Sequence, residues 1–113
     1  LGDVYKRQML DEVLGNQDQM TAYVDLGKLS LPLLIKRRVP GEFFSPLGMD
    51  GKKIKISDFL INEKMPKWQR DHWPMVYAGD ELIWIPGYRI GDQVRVNADT
   101  VHVVMLTLRI TAK

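Results

Sequence analysis

Cysteine is absent from the 113 residues, which excludes disulfides, thiolate nucleophiles and every cysteine-ligated metal site. Histidine is nearly absent: His72 and His102 stand far apart with no ligand cluster beside either, so a histidine-based metal site is not expected. No apolar run approaches the roughly 20 residues that a bilayer span requires, and the first residues lack the basic, apolar, small-residue progression of a secretory signal. A cytoplasmic compartment without membrane attachment is the expectation. No Ser or Thr lies in a nucleophile-elbow or triad-like context. Gly48-Met49-Asp50-Gly51-Lys52-Lys53 is not a Walker A loop, because two residues rather than four separate its glycines and Lys53 stands where a magnesium-holding Ser or Thr is needed. The same segment matches the bare GxxG with which KH modules clamp a nucleic-acid backbone, but those loops sit between helices and this one precedes a strand-like run. A two-glycine turn is the commoner structure. Asp58, Glu63 and Asp71 suit helix-cap and surface roles better than a general acid/base pair. No catalytic residues and no cofactor are expected in this chain.

What is present is enough for one folded domain: hydrophobic residues make up 45% and charged residues 27%, within the globular range for a chain too short to split in two. The net charge of +2 hides an asymmetry. Residues 28–70 carry ten basic and four acidic side chains, whereas the flanking segments are both net acidic. Local fields rather than totals steer anionic partners. The candidate phosphate contacts are therefore Arg37, Arg38, Lys52, Lys53, Lys55, Lys64, Lys67 and Arg70. Trp84, between Ile83 and Ile85, is expected in the core, and Trp68 and Trp73 are expected to pack against a sheet. A basic face without a stacking row favours recognition of duplex RNA by shape and phosphate.

The coarse pattern is α+β, with short antiparallel or mixed sheets packed with one or two short helices. Strands are expected at 22–26, 33–37, 75–77, 82–85, 88–90, 94–96 and 101–110. Between Gly51 and Ser57 the order Lys53, Ile54, Lys55, Ile56 alternates, which puts the isoleucines inward and the lysines outward along a strand. Ser57 is a candidate N-cap for a helix over 58–64, with Asp58 and Lys64 complementing its dipole. Pro66 opens a second helical turn over 67–72.

Residues Asp3-Val4-Tyr5-Lys6-Arg7-Gln8 read as the translation of a transposase sequencing adaptor, GAT GTG TAT AAG AGA CAG. Residues 1–8 are accordingly expected to lie outside the native sequence, 9–21 to form a linker or the end of an upstream domain, and 22–113 to form the domain proper. On that reading the frame is cut on its 5′ side, the chain is the C-terminal piece of something longer, and its end at Lys113 is a natural stop.

Leu31-Pro32-Leu33-Leu34-Ile35-Lys36-Arg37-Arg38-Val39-Pro40-Gly41-Glu42, Pro46-Leu47-Gly48-Met49-Asp50-Gly51-Lys52-Lys53, Ser57-Asp58-Phe59-Leu60-Ile61, Met65-Pro66, Arg70-Asp71, Trp73-Pro74 and Ile83-Trp84-Ile85-Pro86-Gly87-Tyr88-Arg89-Ile90 resemble the C-terminal domain of bacterial tRNA(Ile)-lysidine synthase. The blocks keep that family's order and spacing from about Ala22 to Ile110. One departure is Glu42 with Phe43 behind it, where the family commonly shows an aspartate followed by a basic residue. The resemblance implies a parent ligase that uses ATP and lysine to convert the wobble cytidine of an isoleucine tRNA to lysidine. It places the ATP-binding PP-loop and its SGGxDS motif, absent here, in a missing N-terminal domain. It further implies a fold shared with a domain of the phenylalanyl-tRNA synthetase β subunit, and as partners the isoleucine tRNA and the remainder of the same polypeptide. Two competing readings remain: a free-standing RNA-binding domain, and an intramolecular or homodimer-forming module using Met49, Trp68, Trp73 and Met75 as an apolar contact surface.

Overall fold

A computed structural model describes residues 20–109. The expected adaptor segment and all but the last two residues of the expected linker lie outside the described residues, as does Ile110 at the end of the last expected strand. The strands are β1 (Thr21–Asp25), β2 (Leu33–Lys36), β3 (Phe43–Phe44), β4 (Ile54–Lys55), β5 (Met75–Ala78), β6 (Glu81–Ile85), β7 (Arg89–Ile90) and β8 (Val103–Thr107). Two short helices, α1 (Ile56–Asn62) and α2 (Lys67–Arg70), fall between β4 and β5. The strands form three antiparallel sheets: a central one in the order β2-β5-β6-β7, and the pairs β1-β8 and β3-β4. This is the α+β class expected.

The central hairpin β5-β6 is apolar on both faces because both are covered. Met75, Tyr77, Leu82 and Ile85 face one cluster with Phe44 of β3 and with Ile56, Phe59 and Leu60 of α1. Val76, Ala78, Ile83 and Trp84 join the other, with Ala22 and Val24 of β1 and Val94. Strict alternation would send the adjacent Ile83 and Trp84 to opposite sides. They share one cluster because the register shifts between Val76, opposite Trp84, and Tyr77, opposite Leu82, which leaves Ile83 as an extra residue. The polar residues buried behind β1 are satisfied: Thr100 Oγ1 donates to Asp25 Oδ2 at 2.8 Å, and Gly27 N donates to Asp25 Oδ1 at 2.9 Å.

Several local expectations need correction. The strand expected over 94–96 is a 3-10 turn, Asp92–Val94; its hydrogen bonds are local, Val94 N to Gly91 O and Arg95 N to Asp92 O, while Val94 plugs the core as a single side chain. Ser57 is not the N-cap of α1. Lys55 holds that position, and the amide of Ile56 is satisfied by the Glu42 carbonyl at 2.9 Å, so the chain has already turned before Ser57 is reached. Helix α1 stops at Asn62 and α2 at Arg70, each two residues earlier than expected. Ile56, Phe59 and Leu60 form the buried stripe of α1 at the helical spacing.

Lys64 is not a last-turn helical residue. It lies in the left-handed region at φ 63°. Lys64 N donates to Ile61 O at 2.9 Å and Met65 N to Leu60 O at 3.0 Å, the paired bonds of a Schellman ending, a site that glycine occupies at least cost. Replacing Lys64 with glycine should therefore raise stability by about 0.5 to 1 kcal/mol, from relief of left-handed strain. Urea denaturation of K64G beside K64A, which keeps the Cβ, checks this.

A candidate nucleic-acid interface

Glu42 organises the region that carries the basic residues. Tyr77 Oη donates to Glu42 Oε1 at 2.5 Å, linking the loop before β3 to the middle of β5. The same carboxylate oxygen accepts from Val39 N at 3.3 Å, the Glu42 amide donates back to Val39 O at 3.2 Å, and the Glu42 carbonyl accepts from Ile56 N. One residue thus fixes a loop, a core strand and the start of α1. Burial, the hydrogen bond to Glu42 and its negative charge push the Tyr77 phenol well above its ordinary value.

Beside this anchor, β3, β4 and α1 enclose an open groove of about 600 Å³. Lys52, Lys53 and Lys55 line it with Arg89 of β7, together with the apolar Phe43, Ile54 and Phe59, the acidic Asp58 of α1 and Glu63 at that helix's C-cap. Lys53 and Lys55 are exposed while Ile54 is half-buried and Ile56 buried, so the expected alternation holds in burial even though β4 ends at Lys55. Arg89 is held above the Phe59 ring, 5.5 Å from its centroid, and reaches Glu63 at 3.4 Å. A second concavity of about 420 Å³ shares Phe43 and Lys53 but is lined by Glu42, Asp80, Glu81 and Asp92. Basic side chains therefore outnumber acidic ones in the first concavity and acidic ones outnumber basic in the second, a balance that favours an anion on the lysine side.

The other candidate contacts do not line this groove. Arg38 is committed to an ion pair with Asp71 at 2.7 Å, and Arg70 Nη1 donates to the Met65 carbonyl at 3.1 Å. Arg37 and Lys67 are exposed, and Lys64 is exposed at its helix ending. Arg89 is not among the candidates that charge patterning selects, because it stands in a net acidic segment; only its alternation with Tyr88 and Ile90 after the Pro86-Gly87 turn hints at a surface position. Trp84 is buried as expected. Trp68 is not packed against a sheet: it is 75% exposed on α2, whose four residues make too short a stripe to reach the core. Trp73 is packed, with Nε1 donating to Pro86 O at 2.8 Å and its ring edge-on to Tyr88. Met75 is fully buried, so the contact surface expected from Met49, Trp68, Trp73 and Met75 does not exist as a patch. Among the described residues no group of three or more His, Cys, Asp and Glu side chains is placed to hold a metal ion, and no helix is long and apolar enough to cross a membrane.

The class that the structure defines is a three-sheet α+β domain with a groove walled by short strands and one helix and lined by Lys52, Lys53, Lys55 and Arg89. The family can be stated: a model described as the TilS substrate C-terminal domain matches residues 33–106, and the chain belongs to that family. Among curated proteins it is 36% identical over 91 residues to a tRNA(Ile)-lysidine synthase of Caldanaerobacter subterraneus, covering 80% of this chain and 19% of that protein. It is 38% identical over 87 residues to the Symbiobacterium thermophilum protein of the same name, covering 77% and 18%. The chain thus spans about a fifth of the length of these relatives. Two of the solved structures that share the fold illustrate it. One is described as the crystal structure of a TILS C-terminal domain, with TM-score 0.68, 24% identity, and coverage of 86% of this chain and 76% of that one. The other is an N-terminal fragment of the phenylalanyl-tRNA synthetase β subunit from Pyrococcus horikoshii, with TM-score 0.61, 21% identity, and coverage of 93% and 35%.

The anchor of the site is directly testable. Tyr77→Phe removes the donor and leaves the Glu42 carboxylate short of a partner, for an expected loss of about 1 to 3 kcal/mol in urea denaturation. A phenol raised in the folded state keeps its proton after the unfolded chain has lost one. Its contribution is therefore intact below the ordinary value of 10.0 and declines as pH rises beyond it. Stability measured between pH 8 and pH 11 should fall more steeply for the native chain than for Y77F.

Proposed function

We propose that this domain holds tRNA by its phosphates for a lysidine-forming ligase, the parent chemistry being ATP-dependent attachment of lysine to the wobble cytidine of an isoleucine tRNA. The observation that carries the reading is the gathering of Lys52, Lys53, Lys55 and Arg89 around one groove, bordered by a concavity of opposite charge. The names of the full-length relatives supply the substrate class. On this reading ATP and lysine bind elsewhere in the parent, and the domain contributes affinity and orientation. Phosphate contacts carry little sequence information, so the isolated domain should distinguish poorly between tRNA species. Lys52, Lys53 and Lys55 form the first set of contacts; Arg37, Lys64 and Lys67 are secondary ones, with Arg38 and Arg70 engaged in the fold.

A second reading has one observation behind it. Edge strand β2 leaves Leu34 45% and Ile35 63% exposed, with Leu31 and Val39 also open beside it, as expected of a module that docks on the remainder of a longer polypeptide. A chain that sediments as a monomer and still retards tRNA in a gel argues against docking as its main role.

The first reading is tested by titrating tRNA at several salt concentrations. Replacing Lys52, Lys53 and Lys55 together with alanine should flatten the log-log salt dependence by roughly 0.7 to 0.9 for each phosphate that is no longer neutralised. An unchanged slope removes this face from the interface.

A further inference from the structure

The groove contains more than phosphate binding requires. Phe43 is 51% exposed on its wall, whereas its neighbour Phe44 is buried and meets Phe59 edge-on at 5.1 Å. The core requirement of β3 is met by Phe44 alone. Phe43 stands directly opposite Lys55 in the antiparallel ladder, and directly opposed residues share one face of the ribbon. An aromatic ring and an ammonium group therefore stand side by side at the groove. Ile54 and Phe59 line the same groove, and Asp58 and Asn62 of α1 with the C-cap residue Glu63 add hydrogen-bonding groups to it.

Resting on the tRNA reading above, we propose that the groove seats one unpaired nucleotide of the RNA, its base stacked on Phe43 and its flanking phosphates held by Lys52, Lys53 and Lys55. The bases of a duplex are stacked away in the helix interior, and phosphate recognition along a duplex needs a basic surface rather than a concavity lined in part by apolar side chains. A ring beside a run of cations is the arrangement that holds single strands, because every base has a π-face. The volume of about 600 Å³ lies within the range of pockets for small organic groups. Asn62, Asp58 and Glu63 supply donors and acceptors for the polar edge of a base. Three lysines around the opening exceed what one monophosphate engages, which favours a nucleotide within a chain over a free one.

The experiment measures fluorescence anisotropy of the full 113-residue chain with two labelled RNA hairpins at equal ionic strength, one blunt and one carrying four unpaired 3′ nucleotides. Adenosine monophosphate serves as competitor. The overhang should bind roughly 5- to 100-fold more tightly, the range expected of one base stacked on an aromatic side chain. Phe43→Leu should remove that preference while leaving the blunt hairpin's affinity and salt slope unchanged, and Phe43→Trp should retain it. Equal affinity for the two hairpins overturns the inference, as does a Phe43→Leu variant that weakens both alike. Displacement of the overhang by micromolar adenosine monophosphate would reassign the groove to a free nucleotide and overturns it as well. If instead the triple lysine variant binds the blunt hairpin like the native chain, the tRNA-phosphate reading itself fails, independently of what Phe43 does.

Discussion

The hydrogen bond from Tyr77 to Glu42 is the constraint on which the groove end of the domain depends. β3 and β4 are two residues each and pair only with one another, so neither could hold its place by ladder bonds alone. They are positioned because Glu42 is tied to the central strand by its side chain and to the start of α1 by its carbonyl. Lys36, whose ammonium sits 4.4 Å above the Tyr77 ring, covers the same link from β2. Phe43, Lys52, Lys53 and Lys55 each lie within four residues of Glu42 or Ile56.

The two faces of β5-β6 divide the labour. The face toward α1 packs Phe44 edge-on against Phe59, which lines the groove, so the groove is backed by aromatic packing in the core. The face toward β1-β8 has no part in the groove and packs a second core cluster around Val24, Ile83 and Trp84. The bulge at Ile83 lets the second face take two consecutive large side chains, Ile83 and Trp84, without turning either outward.

Much of this is legible in the residues. The α+β class, the position of most strands, the buried Trp84 and the outward Lys53 and Lys55 all follow from short-range rules of periodicity and turn chemistry. The failures are tertiary in origin. Val94 is β-branched and reads as strand, yet it is needed as one plug in a turn. Ser57 has the chemistry of a cap, but Glu42, fifteen residues upstream, has already satisfied the helix start. Trp68 is expected on a packed face because large aromatics usually find one; α2 is too short to offer it. Arg89 and Phe43 escape short-range rules for a shared reason: each reaches the groove from outside the lysine-rich run, and only strand pairing brings them there.

Phe43 and Lys53 stand where the cationic groove meets a concavity whose charged side chains are mainly carboxylates. Beyond them lie Glu42, Asp80, Glu81 and Asp92, so on the proposed tRNA reading these carboxylates would oppose extension of phosphate contacts in that direction. A contact of bounded length gives fast arrival and fast departure, and its strength depends on what else restrains the ligand nearby. On the proposed tRNA reading, such a short grip within a longer polypeptide would act through effective concentration, holding firmly only while a second site is engaged.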